Sequence, residues 1–106
     1  MGLSIYWTDS AKSQLKSIYE FHKQKVSSRI ALKISLQIFE KVEKLSDFLN
    51  IGTIDENLIN RPQDFRFIIC KNYKIIYWLD KDKIRIEIFD IFDVRQNPIK
   101  IERSLI

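Results

Sequence analysis

Apolar and polar positions alternate along this chain with three successive periods. Residues 3–7, Leu-Ser-Ile-Tyr-Trp, form a short apolar and aromatic run and predict a first strand. Thr8 or Asp9 can then cap a helix by accepting a bond from an orphan backbone N–H. Ala11, Leu15, Ile18, Tyr19 and His22 recur at helical spacing, so residues 9–25 read as an amphipathic helix with Lys12, Lys16 and Lys23 on its other face. Ser27 or Ser28 can cap a second helix. Its apolar stripe runs through Ala31, Ile34, Ile38, Val42, Leu45 and Leu49, widened by Leu32, Phe39 and Phe48. With almost no loop between them, the two helices fold back as an antiparallel hairpin, and Gly52 closes the helical region.

The period is lost over residues 53–64, which read as a polar loop anchored by Ile54, Leu58 and Ile59. Three runs rich in Ile and aromatics follow at 65–70, 73–79 and 83–92, separated by Lys71-Asn72 and Asp80-Lys81-Asp82. Such short breaks predict hairpin turns. The last run alternates Ile84, Ile86 and Ile88 with Arg85, Glu87 and Phe89, as a half-buried strand does. The expected fold class is α+β: an antiparallel sheet with an N-terminal helical hairpin packed on one face, in the order β-α-α-β-β-β, forming one domain over residues 1–106.

Composition narrows the chemistry. The 106 residues are 45% hydrophobic and 12% aromatic, enough for a packed core, and include only two Gly and two Pro. A glycine-rich phosphate loop is therefore excluded. Cys70 and His22 are the only thiol and the only imidazole, so a zinc site lacks its usual ligands and no cofactor or metal is expected. Cys70 ends an apolar strand and His22 falls on the first helix's apolar stripe, and both read as structural. With one cysteine, no signal-like run and no membrane-length apolar stretch, the reading is cytoplasmic, with no membrane partner. The net charge of +4 sits mainly in residues 1–50, where eight Lys or Arg face five Asp or Glu. That excess permits contact with nucleic acid or an acidic protein.

Two constellations remain. Arg66, Lys74, Arg85 and Arg95 are cations on or just after the C-terminal strands. They suit either the solvated side of a sheet, with Arg85 pairing to Glu87 or across a strand, or a phosphate backbone. Pro98 has no N–H for a ladder, so the chain leaves the sheet near "VRQNP" and puts Arg95, Gln96 and Asn97 at the rim. There Arg95 either braces the strand through Asp90 or Asp93 or contacts a target. The second constellation is the surplus of apolar positions on residues 30–49 beside an uncovered strand edge. It suits a protein partner or the closing of the protein's own core.

Three segments then carry a resemblance. "IYWTDSAKSQLKSIYEF", "FRFIICKNYKIIYWL" and "IFDVRQNP" resemble, in order and spacing, the opening strand and helix, the central hairpin and the closing strand of the RelE/ParE family of type II toxins. The resemblance implies a toxin neutralised by a cognate antitoxin from an adjacent gene, whose C-terminal segment wraps it. The antitoxin-binding candidates are then Ile34, Ile38, Phe39, Val42 and Leu45. RelE-like members cleave mRNA on the ribosome, whereas ParE-like members poison DNA gyrase. Arg66, Lys74 and Arg95 match basic positions of the family, with Arg85 and Gln96 as further target-contact candidates. Ile68 is apolar where RelE-like members carry a second strand cation, and no Tyr or His follows Arg95. The departure favours a ParE-like plasmid-stabilisation toxin that binds gyrase and is not an enzyme. A ribosome-dependent mRNA endonuclease, with ribosome and mRNA as partners, or a degenerate member that only binds its antitoxin, stays open.

Overall fold

Thr8 sets the entry to the first helix. Its Oγ1 accepts from the Ala11 N–H at 3.2 Å and donates to the Ile88 carbonyl at 2.7 Å, so one residue caps the helix and ties it to the last strand. A computed structural model describes residues 2–47, 52–58 and 60–95. Phe48, Leu49, Ile59, Gln96, Asn97 and Pro98, to which the sequence pattern gave roles, lie outside the described residues.

The elements are β1 (Ser4–Trp7), α1 (Asp9–Lys25), α2 (Ser28–Glu43), β2 (Thr53–Ile54), β3 (Arg66–Cys70), β4 (Tyr73–Asp80) and β5 (Arg85–Asp93). Ser27 caps α2 by accepting from the Ile30 N–H at 3.2 Å. After Glu43 the helix tightens into a single 3-10 turn, Lys44–Ser46. Ser46 stops it there: its carbonyl accepts from the Leu3 N–H at 3.0 Å and its hydroxyl donates to the Leu3 carbonyl at 2.6 Å. The chain is α+β, as its pattern predicts.

The sheet is mixed, in the order β1-β5-β4-β3-β2. β2 to β5 pair antiparallel, but β1 pairs parallel with β5, with Ser4 opposite Arg85 and Trp7 opposite Ile88. This corrects the all-antiparallel expectation, and the reason is a parity. β2, two residues inside the expected loop, adds one reversal to the chain's path. That reversal turns the closing pair from antiparallel to parallel.

α1 and α2 cover one face of the sheet. Ala11, Ile38, Val42, Ile75, Ile86 and Ile88 meet there with no exposed surface, each burial of a large aliphatic side chain contributing about 1.5–3 kcal/mol. A second cluster, which the pattern does not show, fills the opposite face. Leu58 and Phe65, from the segment after β2, close over Ile76 and the partly buried Phe67, Trp78, Phe89 and Phe92. β4 is thus covered on both faces.

β5 serves both layers through a bulge. Ile76 faces Asp90, but the next residue, Tyr77, faces Ile88, so Phe89 is the extra residue. The slip lets Ile86, Ile88 and Ile91 join the helix-side core while Phe89 and Phe92 join the other cluster.

Ile84 departs from its expected place in the alternation. It lies in the turn before β5, is 68% exposed, and has φ 51°. Left-handed backbone disfavours a β-branched side chain by about 1–2 kcal/mol, and Gly removes that cost while losing some of the gain to unfolded-state entropy. We expect Ile84→Gly to raise stability by about 1 kcal/mol in urea unfolding, with no gain for Ile84→Val.

Candidate functional site

Each cation singled out in the sequence has an internal partner. On β3, Arg66 donates from Nη1 to the Gly52 carbonyl at 3.0 Å. The Gly52 N–H in turn donates to the Tyr77 hydroxyl at 3.0 Å. Gly52 is thus held through both its N–H and its carbonyl, and a Cβ there would collide with the Tyr77 hydroxyl and lie 2.8 Å from the Phe67 carbonyl. Burial pushes the Tyr77 phenol above its ordinary pKa, so it stays a neutral acceptor.

Lys74 is on the opposite face of the sheet. Its Nζ lies 3.0 Å from Asp55 Oδ2, with side chains only 13% and 1% exposed, and 4.2 Å from the centre of the Phe67 ring. Asp55 also extends the β2–β3 ladder, donating its N–H to the Phe65 carbonyl at 2.9 Å. The pair fastens the segment after β2 to β4.

Arg85 shares Lys74's face at the far side of the sheet. Nε and Nη2 both donate to Glu87 Oε1, at 3.1 and 2.9 Å, and the guanidinium lies 3.8 Å over the Tyr6 ring. This is the Glu87 pairing that the sequence offered as one of its alternatives.

Arg95 follows β5 and is the exposed one. It grips Asp93 with both arms, Nη2 to Oδ2 at 2.6 Å and Nε to Oδ1 at 3.0 Å, while its own N–H also donates to Oδ1. Of the two brace partners considered, Asp93 is the one used. The Arg95 side-chain hydrogen bond comes first among the causes that hold the Asp93 carboxyl below its ordinary pKa.

Asp93 lies opposite Tyr73 on β4, and the Tyr73 hydroxyl lies 2.8 Å from His22 Nε2 at the end of α1. Burial, and then the Asp93 charge, raise the Tyr73 phenol's pKa. His22, Tyr73, Asp93 and Arg95 therefore form a series of polar groups at one end of the sheet, and Tyr73 and Asp93 line a 230 Å³ pocket with Gln14, Ser17 and Phe21. Sequence spacing does not reveal it, because its members come from three elements.

The antitoxin-binding candidates divide. Ile38, Val42 and Leu45 are fully buried in the protein's own core and Ile34 packs against it, so these side chains close the fold instead of offering a surface. Phe39 is exposed and stacks with Trp7 at 6.1 Å between ring centres. The two rings form one wall of a 400 Å³ groove between the helices, completed by Leu15, Tyr19 and Ser35 and edged by Lys12 and Lys16. The sequence reading put Trp7 in the first strand and Leu15 and Tyr19 on the stripe of the first helix, with no groove between them. All three are half-buried.

A family model described as the ParE toxin of the type II toxin–antitoxin system parDE matches residues 5–98. The chain belongs to the ParE toxin family. Among solved structures the toxin is similar to a chain of the chromosomal ParDE toxin–antitoxin system of P. aeruginosa, at 22% identity and TM-score 0.71, covering 86% of this chain and 95% of that one. It is also similar to a chain of the RelBE2 toxin–antitoxin complex of Mycobacterium tuberculosis, at 16% identity and TM-score 0.57, covering 88% and 99%. A free RelE mutant from E. coli aligns at 12% identity and TM-score 0.64, covering 97% and 98%. At these identities the likeness is one of fold. No curated protein matches the chain. Among the described residues, no helix is long and apolar enough to cross a membrane.

Two outcomes test the pairings. Lys74→Ala takes the ammonium away from a buried carboxylate and should cost about 3–5 kcal/mol in denaturant unfolding, more than Arg85→Ala, whose pair with Glu87 is nearer the surface. Asp93 has a lowered folded pKa, so its stabilisation is complete above the ordinary carboxylate pKa, about 4, and is lost as pH falls through the lowered value. Thermal melting between about pH 2 and pH 6 should therefore show less acid destabilisation for Asp93→Asn than for the native toxin.

Proposed function

We propose that this toxin acts in the cytoplasm by binding DNA gyrase and does not cut RNA, and that a cognate antitoxin neutralises it by filling the groove between α1 and α2. The observation that carries the first part is the state of the sheet cations. A ribonuclease of this fold needs guanidinium and ammonium groups converging on one phosphate as it gains charge. Here Arg66 belongs to the helix side of the sheet, Lys74 and Arg85 lie on the other side, and Lys74, Arg85 and Arg95 are bound to carboxylates. Such groups support the fold at rest and would have to break an ion pair to grip a phosphate.

The groove supports the second part. Its apolar floor and its rim of Lys12 and Lys16 fit an amphipathic helix with acidic residues beside its apolar stripe. The likeness to chains from ParDE and RelBE2 systems agrees with that occupant.

One observation favours the ribosome-dependent endonuclease as a second reading. The His22 imidazole, bonded to Tyr73 beside Asp93 and Arg95, puts a titratable group at the rim where the sequence showed none after Arg95.

Two assays on one preparation separate the readings. The toxin should block supercoiling of relaxed plasmid by purified gyrase and leave mRNA intact on translating ribosomes in primer extension. New cleavage in A-site codons, lost in His22→Ala, would replace the first reading with the second. For the antitoxin, Phe39→Ala and Lys16→Glu should each weaken co-purification with the product of the adjacent gene by at least about tenfold in affinity, without loss of fold. Unchanged binding in both would place the antitoxin elsewhere.

A further inference from the structure

The groove between the helices has two unlike walls, and its apolar surface does not stop at Phe39. On α2, Leu32, Ser35 and Phe39 follow one another at i, i+3 and i+7, so they form one row on the side of the helix that faces α1. Ser35 and Phe39 line the groove, and Leu32, 52% exposed, continues it by a further turn. Leu36, 48% exposed, projects about 40° further round the helix and forms a shoulder beside Leu32.

The α1 wall is basic. At about 100° per residue, Lys12, Lys16 and Lys23 project within about 40° of one another, on the groove side of the helix beside Tyr19. The row runs for three turns, about 16 Å. None of the three lysines makes an ion pair among the described residues. Asp9 and Glu20 project further from the groove than any of them. The α2 wall has no counterpart to this row. From Leu32 to Phe39 it is apolar or hydroxyl-bearing, and the next groove-side charge toward the end of the helix is Glu43.

Such a groove selects its occupant by charge as well as by shape. Acidic side chains on the flank against α1 meet three unpaired ammonium groups. On the flank against α2 the same side chains would lose water to Leu32 and Phe39 without gaining a partner, and Glu43 would repel them.

We infer that the segment filling this groove is a helix of three or more turns with unlike flanks. Acidic residues run along the edge against α1, spaced to meet Lys12, Lys16 and Lys23. Apolar residues run along the edge against α2 and cover Leu32 and Leu36. The inference rests on the reading that an antitoxin occupies the groove, and it adds what that antitoxin presents there. Unlike flanks also fix the direction in which the helix lies, because reversing it would carry the acids over to the α2 wall.

Isothermal titration of the purified toxin with the product of the adjacent gene reads these contacts. Lys23→Glu and Leu32→Asp should each raise the dissociation constant at least about tenfold. Lys25→Glu makes the same charge change in the same helical turn, but about 160° round α1 from Lys23. It should stay within about threefold of native, which separates a groove contact from a general effect on the helix end. Circular dichroism should be unchanged in all three variants. Native binding should weaken as salt rises from about 50 to about 300 mM, and less steeply for Lys23→Glu. If Phe39→Ala weakens binding while Lys23→Glu or Leu32→Asp binds like the native toxin, the groove holds an antitoxin of another shape, and the inference is overturned while the reading beneath it stands. If Phe39→Ala and Lys16→Glu also bind like native, both fall.

Discussion

β4 is buried on both faces, and that constraint organises the molecule. A strand enclosed between two apolar layers has no water to solvate its polar side chains, so each must find a protein partner. The partners come from different places. Tyr73 meets His22 at the end of α1, Lys74 meets Asp55 beyond β2, and Tyr77 accepts from Gly52 before β2. Asp80 accepts from the Asp82 and Lys83 N–H groups and shapes the turn into β5. The apolar side chains of β4 build the two layers, and its polar atoms fix where the surrounding segments attach.

The same logic explains which parts of the fold were legible. The helices announce themselves by a long period of one kind, and Thr8 and Ser27 are cap residues at the places where the period starts. Hairpin turns at Lys71-Asn72 and near Asp80 follow from breaks in apolar runs. A two-residue strand has no period to read, so β2 was hidden, and with it the direction of β1 against β5. The second core was hidden for a related reason. Leu58 and Phe65 stand in or beside a polar segment, and only the folded chain brings them over Ile76.

The candidate site was legible in its residue types and not in its pairings. Arg66, Lys74, Arg85 and Arg95 are where a strand-by-strand reading puts them, and Glu87 and Asp93 are near enough in sequence to be considered as partners. Asp55 and Gly52 are distant in sequence from Lys74 and Arg66, and only the β2–β3 pairing brings them close. His22 read as structural, and its bond to Tyr73 agrees with that while also setting an imidazole beside Asp93. On α2, periodicity identified the stripe that meets the core. The exposed Phe39, Leu32 and Leu36 flank that stripe, and an amphipathic pattern alone does not say how wide a face the core will use.

The sheet cations brace the chain, and on the proposed reading target recognition falls to other surfaces. Lys74 decides this most directly, because it is the most enclosed of the three cations paired to carboxylates. Replacing a buried ion pair by apolar side chains of similar size is often neutral for stability, so Lys74→Met/Asp55→Leu separates bracing from contact. Growth arrest on induction and thermal melting of the same double variant form the measurement. The account predicts a folded protein that still arrests growth as the native toxin does. A variant that melts like the native chain and no longer arrests growth would contradict it, by making the Lys74 charge part of the toxin's contact with its target.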